Sequence, residues 1–121
     1  MHELSIAEAL VEQIRRYAPS GAILAKARVE IGPRRAVDDD ALRFAWQALV
    51  ANTDFEGAKL EIILHPWDLF CNKCKRHWTS MDPLERCSAC GSEETQAGGS
   101  NDLRLLSIEV APDFLPLPQR L

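Results

Sequence analysis

All four cysteines of the chain fall in one stretch, Cys71-Asn-Lys-Cys74 and Cys87-Ser-Ala-Cys90, with twelve residues between the pairs. A Cys-x-x-Cys turn aims two thiolates at one centre, because the tight backbone turns successive amides and both sulfurs inward. Two such turns closed by a short hairpin give a tetrahedral cage of four sulfurs. That is the geometry of structural zinc, with no coordination position left open for catalysis. The spacing favours zinc over two disulfides, a thioredoxin-like redox pair or a rubredoxin-like iron site.

A second group able to do chemistry is the start of the chain, Met1-His2-Glu3. An α-amine, an imidazole and neighbouring peptide nitrogens can reach one ion. With the amides deprotonated they form fused chelate rings around a square-planar centre of four nitrogens, which suits Ni(II) or Cu(II) and not zinc. On chemistry alone the alternative stays open that this is a frayed, uncoordinating terminus.

The elements that position these groups are legible from periodicity. Ser5-Ile-Ala-Glu8 reads as a capping box, and Leu10, Ile14 and Tyr17 continue an apolar stripe, so a helix is expected over about 5–18, stopped by Pro19 and Gly21. Ala25–Ile31 alternates strictly, with Ala27, Val29 and Ile31 on one face, and reads as a half-exposed strand ended by Gly32-Pro33. One of Asp38, Asp39 and Asp40 should cap a second helix, whose Leu42, Ala45, Trp46, Leu49 and Val50 form the cleanest amphipathic pattern, to about Asn52. Lys59–His65 is a second strand with Leu60, Ile62 and Leu64 inward. Residues 91–101 read as a Gly- and Ser-rich loop. Leu103–Val110 is a third strand with Leu106, Ile108 and Val110 on the core face, and Pro112, Pro116 and Pro118 make the tail irregular.

The fold class expected is therefore α+β: two helices packed on a three-stranded sheet, with an inserted zinc-ribbon-like subdomain between the last two strands. Residues 1–66 plus 102–115 would form a nickel-binding domain and 67–101 the zinc-binding domain. Trp46 belongs to the core, while Trp67 and Trp78 flank the first cysteine pair, where packing of the ribbon is favoured over a partner-binding surface. His65 reads as a strand-end residue at the domain junction.

The chain has 121 residues, 46% hydrophobic and 26% charged, with a net charge of −4. That length suits one modest core and a small appendage. The acidic balance weighs against a whole-protein nucleic-acid binder, although Lys73, Lys75, Arg76 and Arg86 make the cysteine segment locally basic. No apolar run is long enough to span a bilayer. The start lacks the basic region of a secretory signal, so a cytoplasmic location is expected, where reduced thiols favour metal over disulfide. No nucleotide-binding loop is present.

Taken in order, Met1-His-Glu-Leu-Ser5, Val29-Glu-Ile-Gly32 before an acidic helix start, Ala41-Leu-Arg-Phe44, the two cysteine pairs and Leu105-Leu-Ser-Ile-Glu109 resemble the HypA family, also called HybF. These are the nickel metallochaperones of [NiFe]-hydrogenase maturation, and the likeness runs from Met1 to about Val110. It implies that the α-amine of Met1, the imidazole and amide of His2 and the amide of Glu3 hold Ni(II). The Glu3 carboxylate would stand close by. Asp38 would help orient His2, unless it is an ordinary helix cap. Cys71, Cys74, Cys87 and Cys90 would ligate a structural Zn2+, with Ni2+ the transferred ion.

The resemblance further implies a hydrogenase maturation factor that is not an enzyme. A HypB-type GTPase and the hydrogenase large-subunit precursor would be its partners, and the chain itself a monomer or weak homodimer without nucleic acid or membrane. The competing reading is a zinc-ribbon module that binds nucleic acid or a transcription complex, and a thiol–disulfide enzyme is a third. Some relatives carry a His after each cysteine pair, where this chain has Lys75 and Gly91. A pH-driven exchange of Cys for His ligands is therefore not expected, and His77 reads as a packed or solvated ribbon residue.

Overall fold

A computed structural model describes residues 2–111. Met1 and the proline-containing tail lie outside the described residues, and with them the part of the expected first domain beyond residue 111. The elements run α1 (His2–Tyr17), β1 (Leu24–Ile31), a 3-10 turn (Pro33–Arg35), α2 (Asp39–Val50), β2 (Lys59–Leu64), β3 (Trp67–Cys71), β4 (His77–Ser80), β5 (Thr95–Gly98) and β6 (Leu103–Val110). The strands form two three-stranded sheets, β2-β1-β6 and β4-β3-β5. The chain divides into two compact units. Among the described residues, one comprises 2–30, 37–63 and 104–111, the other 31–36 and 64–103.

In the first unit the helical stripes do what their spacing demands. Ile6, Leu10 and Ile14 of α1 are buried, as are Leu42, Ala45, Trp46 and Val50 of α2, together with Ala27 and Val29 of β1 and Leu60 of β2. Removing such surface from water stabilises by about 1.5–3 kcal/mol per large side chain. The Trp46 indole N–H donates to the Ala58 carbonyl at 3.2 Å, so its polar atom is satisfied inside the core. Asp38 caps α2 as expected, its carboxylate accepting from the Asp40 amide (3.0 Å) and the Ala41 amide (3.3 Å).

Two expectations are corrected. The first helix begins at His2 and not near Ser5, so the Ser5–Glu8 capping box does not form. Ser5 lies inside the first turn and its hydroxyl donates to the His2 carbonyl at 2.9 Å. The expected inward face of β6 also fails at one residue, Leu106. Leu106 is 42% exposed, while Leu105, Ile108 and Val110 are half-buried. The alternation slips by one residue at Leu106–Ser107, where two consecutive residues are exposed.

In the second unit β3 pairs antiparallel with β4 (Leu69 opposite Trp78) and with β5 (Leu69 opposite Ala97). β5 falls within 91–101, which the sequence reads as loop. Residues 31–36 clasp the far end of this unit. The Arg34 Nε donates to the Gly99 carbonyl (2.7 Å), the Arg35 Nε to the Asn101 carbonyl (2.6 Å), and the Arg34 amide to the Ser100 carbonyl (3.0 Å). Gly32 has to be glycine there, because a Cβ would collide with the Ser100 backbone.

Candidate metal centres

The cysteine pairs sit on two turns with the same hydrogen-bond frame. The Cys71 amide donates to the Arg76 carbonyl (2.9 Å) and the Lys75 amide returns to the Cys71 carbonyl (2.8 Å). Sixteen positions later the Cys87 amide donates to the Ser92 carbonyl (3.1 Å) and the Gly91 amide to the Cys87 carbonyl (2.7 Å). Lys75 and Gly91, each following the second cysteine of its pair, hold left-handed φ values of 69° and 76°. The sequence signal for this twinned turn was only half visible, since glycine marks it once and lysine hides it once.

The four sulfurs lie within 4.8 Å of one another. Cys71 Sγ is 3.7 Å from Cys90 Sγ, and Cys74 Sγ is 3.6 Å from Cys87 Sγ. A regular tetrahedron with Zn–S of about 2.3 Å has edges of about 3.8 Å. A disulfide would need about 2.05 Å. The donor set and its spacing therefore fit a four-thiolate zinc cage of ribbon type. Cys71 and Cys87, the first of each pair, are buried, and Cys74 and Cys90 are exposed.

The turns also prepare the thiolates. The amides of Cys74 and Lys73 pull the Cys71 thiol below its ordinary value, with the Cys74 amide 3.4 Å from its sulfur. The amides of Cys90 and Ala89 bring Cys87 down to about 6. The Arg76 amide acts in the same direction on Cys74, but the Cys87 sulfur and burial outweigh it and push Cys74 up to about 11. One deprotonated sulfur per turn is thus favoured by backbone dipoles before any ion contributes.

Around the cage, the Phe70 and His77 rings pair at 4.7 Å, and Trp78 is half-buried, with its N–H on Glu85 at 2.7 Å. Three of the four local cations are engaged within the unit. The Arg76 guanidinium lies 4.8 Å from the Trp78 ring centroid, the Lys75 ammonium 5.8 Å from that of Phe70, and Arg86 pairs with Glu93.

At the chain start, His2 and Glu3 occupy the first turn of α1. The α-helical ladder leaves its first four amides without an intrahelical acceptor, so the His2 and Glu3 nitrogens are not part of it. The Glu3 carboxylate accepts from the Asp38 amide at 3.0 Å, and that amide holds it below the usual carboxylate range. Asp38, Asp39 and Asp40 group their carboxylates within 4.8 Å at the start of α2. The structure thus brings Glu3 and Asp38 together through the Asp38 backbone, while the Asp38 carboxylate acts as the cap.

A family model described as hydrogenase/urease nickel incorporation, metallochaperone, HypA, matches residues 1–110. The chain belongs to the HypA family. HypA relatives described as hydrogenase maturation factors include one from Bradyrhizobium sp. (strain ORS 278). It is 37% identical over 112 residues, covering 91% of this chain and 99% of the relative. One from Syntrophus aciditrophicus (strain SB) is 37% identical over 114 residues, with the same coverage. The solution structure of the Ni metallochaperone HypA from Helicobacter pylori aligns with a TM-score of 0.54 at 24% identity, covering 91% of this chain and 97% of that one, and so supports the HypA fold. No helix among the described residues is long and apolar enough to cross a membrane.

Proposed function

We propose that this chain is a non-enzymatic nickel carrier of hydrogenase maturation, binding Ni(II) at its start and Zn2+ in its four-cysteine cage. The Ni(II) donors are the α-amine of Met1, the imidazole and amide of His2 and the amide of Glu3. The observation that carries this reading is the placement of His2 and Glu3 in the first turn of α1. Amides there can lose their protons to a metal without breaking the helical ladder. The positive end of the helix favours the resulting amidate charge. Glu3 is anchored on the Asp38 amide, which puts the Asp38–Asp40 carboxylates in the neighbourhood of an incoming cation.

Division of the two metals follows from donor chemistry. Four thiolates at tetrahedral spacing hold zinc for shape, and would hold a transferred ion too firmly. Nitrogen donors at a chain start can be replaced one at a time, so nickel can pass through an intermediate that shares ligands with the acceptor. By resemblance to the family, the acceptor is the [NiFe]-hydrogenase large-subunit precursor, a HypB-type GTPase takes part in delivery, and the setting is the cytoplasm. The nucleic-acid reading loses support because Lys75, Arg76 and Arg86 are occupied by their own unit's rings and acids.

The test is isothermal titration of tag-free protein with Ni(II), repeated on His2→Ala and on protein with residues added before Met1. One strong site is expected in the first and its loss in the other two. Equal affinity in all three would refute the N-terminal site. Zinc content should remain one per chain throughout.

A further inference from the structure

A sheet edge needs a partner or protection. β6 ends the order β2-β1-β6, so its outer edge has no neighbour among the described residues. Just past its end, the Ala111 amide donates inward to the Ile23 carbonyl at 2.9 Å. Backbone groups alternate in direction along a strand, so Ile108 and Val110, of the opposite phase, aim theirs at the open edge. Both side chains are half-buried. Beside them runs a groove of about 240 Å3 lined by Gln13, Tyr17 and Leu105–Ile108, and Tyr17 is 67% exposed.

The residues that follow have the chemistry to cover this edge. Residues 112–121 lie beyond the part that matches the family model. Ala111-Pro-Asp-Phe114 is turn chemistry, with Pro112 presetting φ at the first central position and Asp113 after it. A four-residue hairpin loop built on such a turn sets Leu115 opposite Val110 and Leu117 opposite Ile108. Residues 115, 117 and 119 then turn their N–H and C=O groups to β6. Pro116 and Pro118, which have no N–H, fall in the other phase and face outward, the one place where an edge strand tolerates proline. Side chains alternate with the same period. Leu115 and Leu117 therefore share the face of Val110 and Ile108, on which the groove lies.

We propose that the open edge of β6 is the docking site of the chain's own tail. Residues 115–119 pair antiparallel with β6 of the same molecule, 111–114 form the turn, and Leu117 covers the groove against Tyr17. The outward phase of the added strand holds Pro116 and Pro118, which offer no donor to a further strand. The tail thus ends the sheet and guards β6 against pairing with other chains. This reading is independent of both metal sites.

Amide hydrogen exchange read by NMR tests this, on the zinc-loaded full chain and on a chain ending at Ala111. The Ile108 and Val110 amides should exchange about tenfold or more slowly in the full chain than in the shortened one. That protection should be the same at low and high protein concentration, and the Leu117 methyls should show an Overhauser contact to the Tyr17 ring. Two full-length variants test the phase. Leu117→Pro removes an inward N–H and should lose the protection, whereas Pro118→Ala changes only an outward position and should keep it. Unchanged exchange of the α1 and α2 amides shows that each protein is folded, and if the shortened chain is not, the two full-length variants carry the test. Equal exchange of Ile108 and Val110 with and without the tail overturns the proposal. So does protection that grows with concentration, which would place a second copy on the edge, or protection that survives Leu117→Pro.

Discussion

Lys75 and Gly91 hold the same left-handed conformation at equivalent places in the two cysteine turns. An L-residue there costs about 1–2 kcal/mol. Gly91 avoids that cost, whereas Lys75 offsets it through its ammonium, which donates to the Asn72 carbonyl at 2.9 Å and lies over Phe70. Nothing lies within 4 Å of a Cβ built on Gly91, so Gly91→Ala would meet the backbone penalty alone. Thermal unfolding of the zinc-loaded protein should show Gly91→Ala destabilised by about 1–2 kcal/mol. Lys75→Gly should change stability by less than about 1 kcal/mol, because relief of strain is opposed by lost contacts and a more flexible unfolded chain. Zinc content should be one per chain in both. A loss of zinc from Lys75→Gly would mean that the side chain, and not the turn, holds the cage.

The elements whose apolar spacing extends over several turns were readable from sequence. α2 was placed with its cap because Leu42, Ala45, Trp46 and Val50 repeat on one face behind Asp38. β5 was not, since Thr95-Gln-Ala-Gly98 is short, polar and without alternation, and becomes a strand only because β3 offers it a partner. The start of α1 was misplaced because the Ser5–Glu8 pattern mimics a cap. The contact that anchors the true first turn, Glu3 on the Asp38 amide, spans 35 residues and has no local signature. Long-range charge pairs across the sheet are equally silent in sequence. The Glu61 carboxylate of β2 sits 3.1 Å from the Lys26 ammonium and 3.3 Å from the Arg28 Nε of β1, and the Lys26 hydrogen bond pulls its pKa below the usual value. A depressed folded pKa contributes stability above the unfolded value of about 4.3 and loses it as pH falls through the lower folded value. Acid unfolding of Glu61→Gln should therefore lack that part of the pH dependence, by a small amount because the pair is exposed. NMR titration of the Glu61 carboxyl should give a midpoint below that of an unstructured glutamate.

Across the molecule, burial is unevenly shared. Of the buried apolar side chains among the described residues, fourteen lie in the first unit and four, Ile31, Leu69, Cys71 and Cys87, in the second. Two of those four are the cage itself. Leu69 and Ile31 alone bury too little to order some forty residues, each costing about 1–2 kcal/mol of backbone entropy. On the proposed assignment of zinc to the four cysteines, the ion would supply the missing folding free energy, about 10–16 kcal/mol for a structural site. The sequence points to the same proposal, because apolar residues are sparse around the two cysteine pairs. The clasp by Gly32, Arg34 and Arg35 is not legible there, since Arg34 and Arg35 reach carbonyls 65 and 66 positions further along the chain. Removing the metal with a strong chelator under reducing conditions should melt β3–β5 while leaving the helices of the first unit folded. Hydrogen exchange should then show amides of residues 67–98 losing protection, while those of α1 and α2 keep theirs and Trp46 stays shielded from a fluorescence quencher. Restored zinc should reverse the change. Uniform loss of protection in both units would show that the first core depends on the ion as well, and retained protection in β3–β5 would show that the ribbon holds its shape without it.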